Sequence, residues 1–238
     1  MKTAAILLAA GSGSRMRGRV QDKVLAPLAG IPVLAHSLRA FRAGGIAEVF
    51  VFVARDEAQR AAIAAAAKAE GLPADACLFT FGGAERQDSV CNGLDLLGED
   101  IGCVFIHDCA RPLIRPDSLR ALKTAALRDG GAVLAHRVVD TIKKVDPPTP
   151  LENRQLQDLD RKTLWAMETP QVFRRDLIAR CYANVRAQQA RVTDDTAALA
   201  REGHPVTLVE NIYPNPKITL PEDLDFVEWL LARPPQAS

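Results

Sequence analysis

The sequence predicts an α/β fold, a mostly parallel sheet covered by helices on both sides, with an arm leaving it late in the chain. Three observations predict this. Short apolar runs rich in β-branched residues alternate with helical patterns as far as Ala135. The runs lack the polar alternation of half-exposed strands, so they read as strands buried on both faces. The rhythm then breaks at Asp140, and residues 140–173 hold four prolines and no long helical period.

The elements follow in order. Strands are expected at 4–9, 49–53 ("VFVFV"), 78–81, 103–107 ("CVFIH"), 131–135 and 206–209. Helices are expected between them at 32–43, 56–70, 86–97 and 116–128. Pro32 and Pro116 suit first-turn positions, and Gly44-Gly45 ends the first helix. Strands joined through helices imply a parallel sheet, whose ligands bind beyond the carboxyl ends of the strands. Past Asp140, short strands at 141–145 and 164–167 flank a proline-rich loop, and an arm spans about 140–169. Helices at 175–188, 194–202 and 221–231 complete the pattern, and "RPPQAS" reads as a frayed tail. A single domain over 1–238 is expected.

Composition narrows the function. The chain of 238 residues is 48% apolar and 25% charged, ordinary for a soluble domain that buries its core without staples. A net charge of +1 gives no electrostatic support to a nucleic-acid coat or a membrane-surface role. No apolar run approaches the roughly 20 residues of a membrane span. Met1-Lys2-Thr3 leads straight into a strand without the regions of a signal peptide. Five cysteines contain no CxxC pair and read as small hydrophobes, so a cytoplasmic place is expected.

Four segments carry candidate chemistry. "LLAAGSGSRMRGRVQDK" (7–23) leaves the first strand through small residues and offers Arg15, Arg17, Arg19 and Lys23. Met16 stands where a dinucleotide fingerprint needs its third glycine, and no P-loop lysine follows. The backbone amides of such a loop can cradle phosphate oxygens, with Arg15 and Lys23 adding charge. The plainer alternative is a mobile loop with solvated charges. "GGAERQDSV" (82–90) places Gly82-Gly83 before a helix that bears Ser89, either to admit a flat or sugar-like group or as a simple capped turn. "IHDCARP" (106–112) hands Asp108 to the ligand edge of the sheet, as a ligand for a hard cation such as magnesium or as an ion-pair partner of Arg111. His107 ends an apolar strand and reads as core or as support for the site. "NPKIT" (215–219) puts Lys217 at the edge of a late strand.

Taken in order, "LLAAGSGSRM" with Lys23, "GGAERQDSV", "HDCARP", "DTIK", "LWAMETPQ", "VTDD" and "NPKIT-PED" resemble the 2-C-methyl-D-erythritol 4-phosphate cytidylyltransferase family over nearly the whole chain. The resemblance implies a doubly wound, Rossmann-like nucleotidyltransferase fold, with an arm exchanged across a homodimer. It implies that Ala9, Ala10, Gly11, Ser12, Gly13 and Ser14 wrap CTP, and that Gly83 and Ser89 contact its cytosine and ribose. Arg15 and Lys23 would hold the triphosphate and the transition state, and Asp108 would bind Mg²⁺ or another divalent cation. Lys217, Arg111 and Thr193 would surround the sugar phosphate, with Thr169 lining the pocket and Thr141 and Arg161 arriving from the partner's arm. The sequence departs from the family pattern at Asp22 and Val24, where proline or asparagine and glutamine are usual. It departs again at Ala84, where an acid is common, and at Pro214 in "YPNPK", which lacks an acid.

The expected reaction is cytidylyl transfer from CTP to methylerythritol phosphate. Ribitol phosphate or another alditol phosphate is the alternative acceptor. A nucleotide-binding regulator without turnover is the alternative of a different class.

Overall fold

A computed structural model of the chain describes residues 1–11, 13–16, 20–145, 152 and 155–233. Ser12, Arg17, Arg19, most of the proline-rich stretch and the terminal tail lie outside the described residues. The chain opens with β1 (Lys2–Leu8), a small ribbon of β2 (Pro27–Leu28) and β3 (Ile31–Pro32), and α1 (Val33–Gly44). It continues with β4 (Val49–Ala54), α2 (Glu57–Ala69), β5 (Cys77–Phe81), α3 (Arg86–Leu94), β6 (Ile101–Asp108) and α4 (Pro116–Asp129). Then come β7 (Gly131–Arg137), β8 (Lys143–Lys144), β9 (Gln157–Asp158) and β10 (Trp165–Arg174). The last elements are α5 (Arg175–Ala187), α6 (Asp195–Arg201), β11 (Thr207–Glu210) and α7 (Pro221–Leu231).

Seven strands form one sheet in the order β11-β7-β10-β6-β1-β4-β5. The pairs β1/β4, β4/β5, β1/β6 and β7/β11 are parallel, and β10 is antiparallel to both neighbours. From β1 the chain steps outward to β4 and β5, then returns to the other flank of β1 as β6. The connections after β1 and β6 therefore diverge and leave a crevice at the carboxyl ends of these strands. All eight residues of β6 are buried, as a strand covered on both faces requires. Phe41 of α1, Ile63 of α2, Leu119 of α4 and Val227 of α7 pack against one face. Val90 of α3, Ile178 of α5 and Leu199 of α6 pack against the other. The described helices include none long and apolar enough to cross a membrane.

Two elements differ from expectation. The short strand expected at 164–167 is the start of the ten-residue β10, which lies inside the sheet between β6 and β7. Pro170 hid it, because proline removes a ladder donor. The pairing with β7 shifts register between Met167 and Gln171, and that irregularity accommodates the proline. Residues 165–169 of the expected arm thus belong to the sheet. On the arm itself the described pairing is the short antiparallel ribbon of Lys143–Lys144 with Gln157–Asp158.

Candidate active site

A cavity of about 430 Å³ opens at the carboxyl ends of β1, β5 and β6. Its first wall is the loop after β1. Ala9 is anchored by its N–H to Val53 O (2.9 Å), and buried Met16 pins the far side of the first turn. That turn closes through Met16 N–H to Gly13 O (2.8 Å), with Gly13 at φ +62°, a conformation glycine adopts without strain. Ala9, Ala10, Gly11, Gly13, Arg15 and Lys23 all line the cavity. Lys23 Nζ donates to Ile218 O at 3.3 Å.

The second wall is the loop between β5 and α3. A Cβ on Gly82 would lie 2.5 Å from Ala10 Cβ, and one on Gly83 would collide with Asp88. Close approach, rather than backbone angle, therefore demands glycine here. Ser89 Oγ accepts from Gly83 N–H (3.1 Å) and donates to Glu85 O (3.3 Å), which fixes the loop over the first turn of α3. Gly83 and Ser89 both line the cavity.

The floor is an ion cluster. Lys217 Nζ donates to Asp108 Oδ2 at 2.5 Å, and Arg86 Nε donates to Oδ1 at 3.3 Å. Arg86 also makes two bonds to Asp195, Nη1 to Oδ1 at 3.0 Å and Nη2 to Oδ2 at 2.8 Å. Asp195 is fully buried and accepts further from Tyr182 Oη (2.6 Å). Burial by itself would raise the Asp108 carboxyl, but the charges of Arg86 and Lys217 outweigh it and hold the group well below the usual carboxylate range. Burial likewise opposes the charge of Arg86, and Asp195 with Asp108 overcomes it. Lys23 stands apart from this pairing. Burial first, then the nearby charges of Lys217 and Arg15, push its ammonium below the ordinary lysine value, against the pull of Asp108 and Asp22.

Behind the floor, Thr169 Oγ1 accepts from Asp108 N–H (3.1 Å) and contacts His107 Nδ1 (3.1 Å). His107 Nε2 faces Arg111 O at 3.2 Å, and a carbonyl only accepts, so the ring proton belongs on Nε2 and Nδ1 is left to accept from the Thr169 hydroxyl. Burial pushes His107 down to about 4, so it is a neutral support in the core.

The structure therefore gathers Ala9, Ala10, Gly11, Gly13, Arg15, Lys23, Gly83, Ser89, Asp108 and Lys217 around one cavity. Ser14 begins the 3₁₀ turn of the loop, and Ser12 lies outside the described residues. Thr169 is buried behind Asp108 rather than lining the cavity. Arg111 does not pair with Asp108; its Nη1 donates to Asn215 O (2.7 Å). Thr193 is exposed just before the α6 cap, outside the cavity lining. Thr141 and Arg161 are exposed on the arm and do not line this chain's cavity; Arg161 Nη1 donates to Val139 O (2.8 Å). Arg86 and Asp195 were missed. Both sit inside quoted motifs, "GGAER" and "VTDD", but they are 109 residues apart and nothing local couples them.

The described residues contain no group of three or more His, Cys, Asp or Glu side chains able to hold a metal by themselves. Asp108 on the floor and Glu85 on the second wall are the carboxylates that line the cavity, a sparse donor set that suits a cation shared with substrate phosphates.

Comparison with known proteins bears on the family and the fold. The sequence model of the family described as 2-C-methyl-D-erythritol 4-phosphate cytidylyltransferase matches residues 3–233. The protein of that name from Pelotomaculum thermopropionicum is 39% identical over 97% of this chain and 94% of its own. The one from Geobacillus thermodenitrificans is 40% identical over 98% of each. The crystal structure of 4-diphosphocytidyl-2C-methyl-D-erythritol synthase from Anaerococcus prevotii shares the fold, with a TM-score of 0.83 at 24% identity over 98% of this chain and 96% of that one. By sequence match along nearly its whole length, the chain belongs to the 2-C-methyl-D-erythritol 4-phosphate cytidylyltransferase family.

Proposed function

We propose that this chain transfers the cytidylyl group of CTP to 2-C-methyl-D-erythritol 4-phosphate, releasing pyrophosphate and forming 4-diphosphocytidyl-2-C-methyl-D-erythritol. The observation that carries the reading is one cavity where small residues expose backbone and where Arg15, Lys23 and Lys217 converge beside Asp108. A phosphate oxygen of the acceptor attacks the α-phosphorus of CTP, and the bond from that phosphorus to the bridging oxygen breaks as pyrophosphate leaves. A phosphate monoester loses its second proton with a pKa of about 6, so the attacking oxygen needs no general base. This agrees with a neutral, buried His107. The residues supply positioning and charge.

Arg15 and Lys23 hold the triphosphate and the charge that builds at the α-phosphorus. Gly83 and Ser89 receive cytosine and ribose. Lys217, with Arg111 and Thr193, orients the acceptor phosphate. Asp108, with the substrate phosphates, would hold Mg²⁺, which when bound screens phosphate charge. Thr141 and Arg161 act from the arm of a second copy in a homodimer. Support for that assembly is the apolar surface the arm region exposes, with Val139 at 76% and Leu156 at 58%. Five free cysteines fit a reducing compartment such as the cytoplasm.

The names of the matched relatives favour methylerythritol phosphate over ribitol phosphate. Pyrophosphate release with CTP, Mg²⁺ and a panel of sugar phosphates tests the proposal. Methylerythritol phosphate is expected to be used in clear preference. Preferential use of ribitol phosphate would replace the acceptor, and CTP binding without release on any acceptor would favour a regulator.

A further inference from the structure

Lysine has a flexible four-carbon stem, and an irregular loop gives it no direction of its own. The two neighbours of Lys23 are nevertheless fixed. Val24 is 2% exposed in the core, and its carbonyl accepts from Leu34 N–H (3.0 Å). Asp22 is fixed by polar contacts instead. Its Oδ1 accepts from Val24 N–H at 3.1 Å, bracketing Lys23 in a tight turn. Its Oδ2 accepts from Gln59 Nε2 at 2.5 Å and lies 3.3 Å from Arg55 Nη2.

Gln59 is 3% exposed and sits in the first turn of α2. Its Nε2 also donates to Ala9 O (3.1 Å), and its Oε1 accepts from Arg55 N–H (2.6 Å). Both polar atoms of this buried amide thus have partners, as burial demands. One side chain grips both ends of the loop, Ala9 where it leaves β1 and Asp22 just before Lys23. A helix cap alone would need neither of these contacts.

We propose that Gln59, Asp22 and Arg55 form a clasp that closes the base of the phosphate loop and aims Lys23. Asp22 and Gln59 are then positioning residues, although neither lines the cavity. The inference rests on the reading of Lys23 as a triphosphate contact. It also gives a use to Asp22, where the family pattern has proline or asparagine: proline offers no side-chain acceptor, and asparagine has no charge for Arg55.

The test is a set of cycles. Asp22→Ala, Gln59→Leu and Arg55→Ala are each made alone and with Lys23→Ala, and kcat, KM for CTP and Tm are measured. Asp22→Ala and Gln59→Leu should each lower kcat/KM for CTP about tenfold to hundredfold, the scale of a misplaced catalytic group. On the Lys23→Ala background they should add almost nothing, because the group they aim is gone. Arg55→Ala, which removes a half-exposed contact, should act in the same direction and less. Losses that multiply with that of Lys23→Ala, or a fall in Tm with unchanged kcat/KM, would overturn the clasp. If Gln59→Leu fails to fold, Asp22→Ala decides, since it lies on the loop outside the helix. Wild-type turnover in Lys23→Ala would instead remove the functional reading, and the clasp with it.

Discussion

The floor of the cavity and the arm hold their charges differently. On the floor, Asp108 is 8% exposed and is shared by Arg86 and Lys217, while Arg86 is gripped at its other end by fully buried Asp195. On the arm, Thr141 and Arg161 are exposed, and Lys143 pairs with an Asp158 whose side chain is 83% exposed. Charges fixed inside a low-dielectric floor need no reorganisation when a phosphate arrives. Charges on an exposed ribbon acquire a fixed place only against another surface. The contrast teaches that the floor is preorganised within one chain, and it is consistent with the proposal that the arm completes its contacts against a second copy.

The sharpest way to break this contrast is to remove the buried grip. Asp195→Ala leaves Arg86, whose side chain is 29% exposed, without its bidentate partner, and the cost should fall at or below the lower end of the roughly 3–5 kcal/mol of a fully buried pair. A large fall in Tm is expected, whereas Asp158→Ala on the arm should leave Tm almost unchanged, since exposed pairs contribute little. Equal shifts in the two variants would erase the distinction.

A smaller effect should fall on rate and not on stability. Lys23→Ala and Arg15→Ala should each raise the barrier by about 2.7–4 kcal/mol with little change in Tm. The pH profile sharpens this. Lys23 must be protonated to act, and its pKa lies below that of a free lysine, because burial and the charges of Lys217 and Arg15 favour the neutral amine. Activity should therefore fall as pH rises, at a lower pH than a free lysine would give, and Lys23→Arg should push that limb upward. An unmoved limb would assign it to another group.

The parts that could be read from sequence are those set by local pattern. β1, β4 and β6 announce themselves as uninterrupted apolar runs, and Asp108 as the polar residue that ends the last of them. Gly82 and Gly83 announce close approach, which in the structure is to Ala10 and Asp88. β10 did not, because Pro170 argues locally against a strand and only the register shift shows how the sheet admits it. Asp195 and Gln59 did not, because their meaning lies in partners brought close by the sheet. Arg86 meets Asp195 across 109 residues, and Gln59 meets Ala9 across 50.

The proposed division of the site between two chains is tested most directly by mixed dimers. Chains with Arg15→Ala and chains with Arg161→Ala, each nearly inactive alone, are unfolded and refolded together, and subunit exchange is confirmed by mass. About half of the dimers are then mixed. In each of these, one site carries both defects and the other joins an intact Arg15 to an intact Arg161 from its neighbour. By C₂ symmetry, roughly a quarter of all sites should recover activity. Activity that stays at the level of the separate variants, with exchange complete, would show that the arm serves its own chain and would contradict the account.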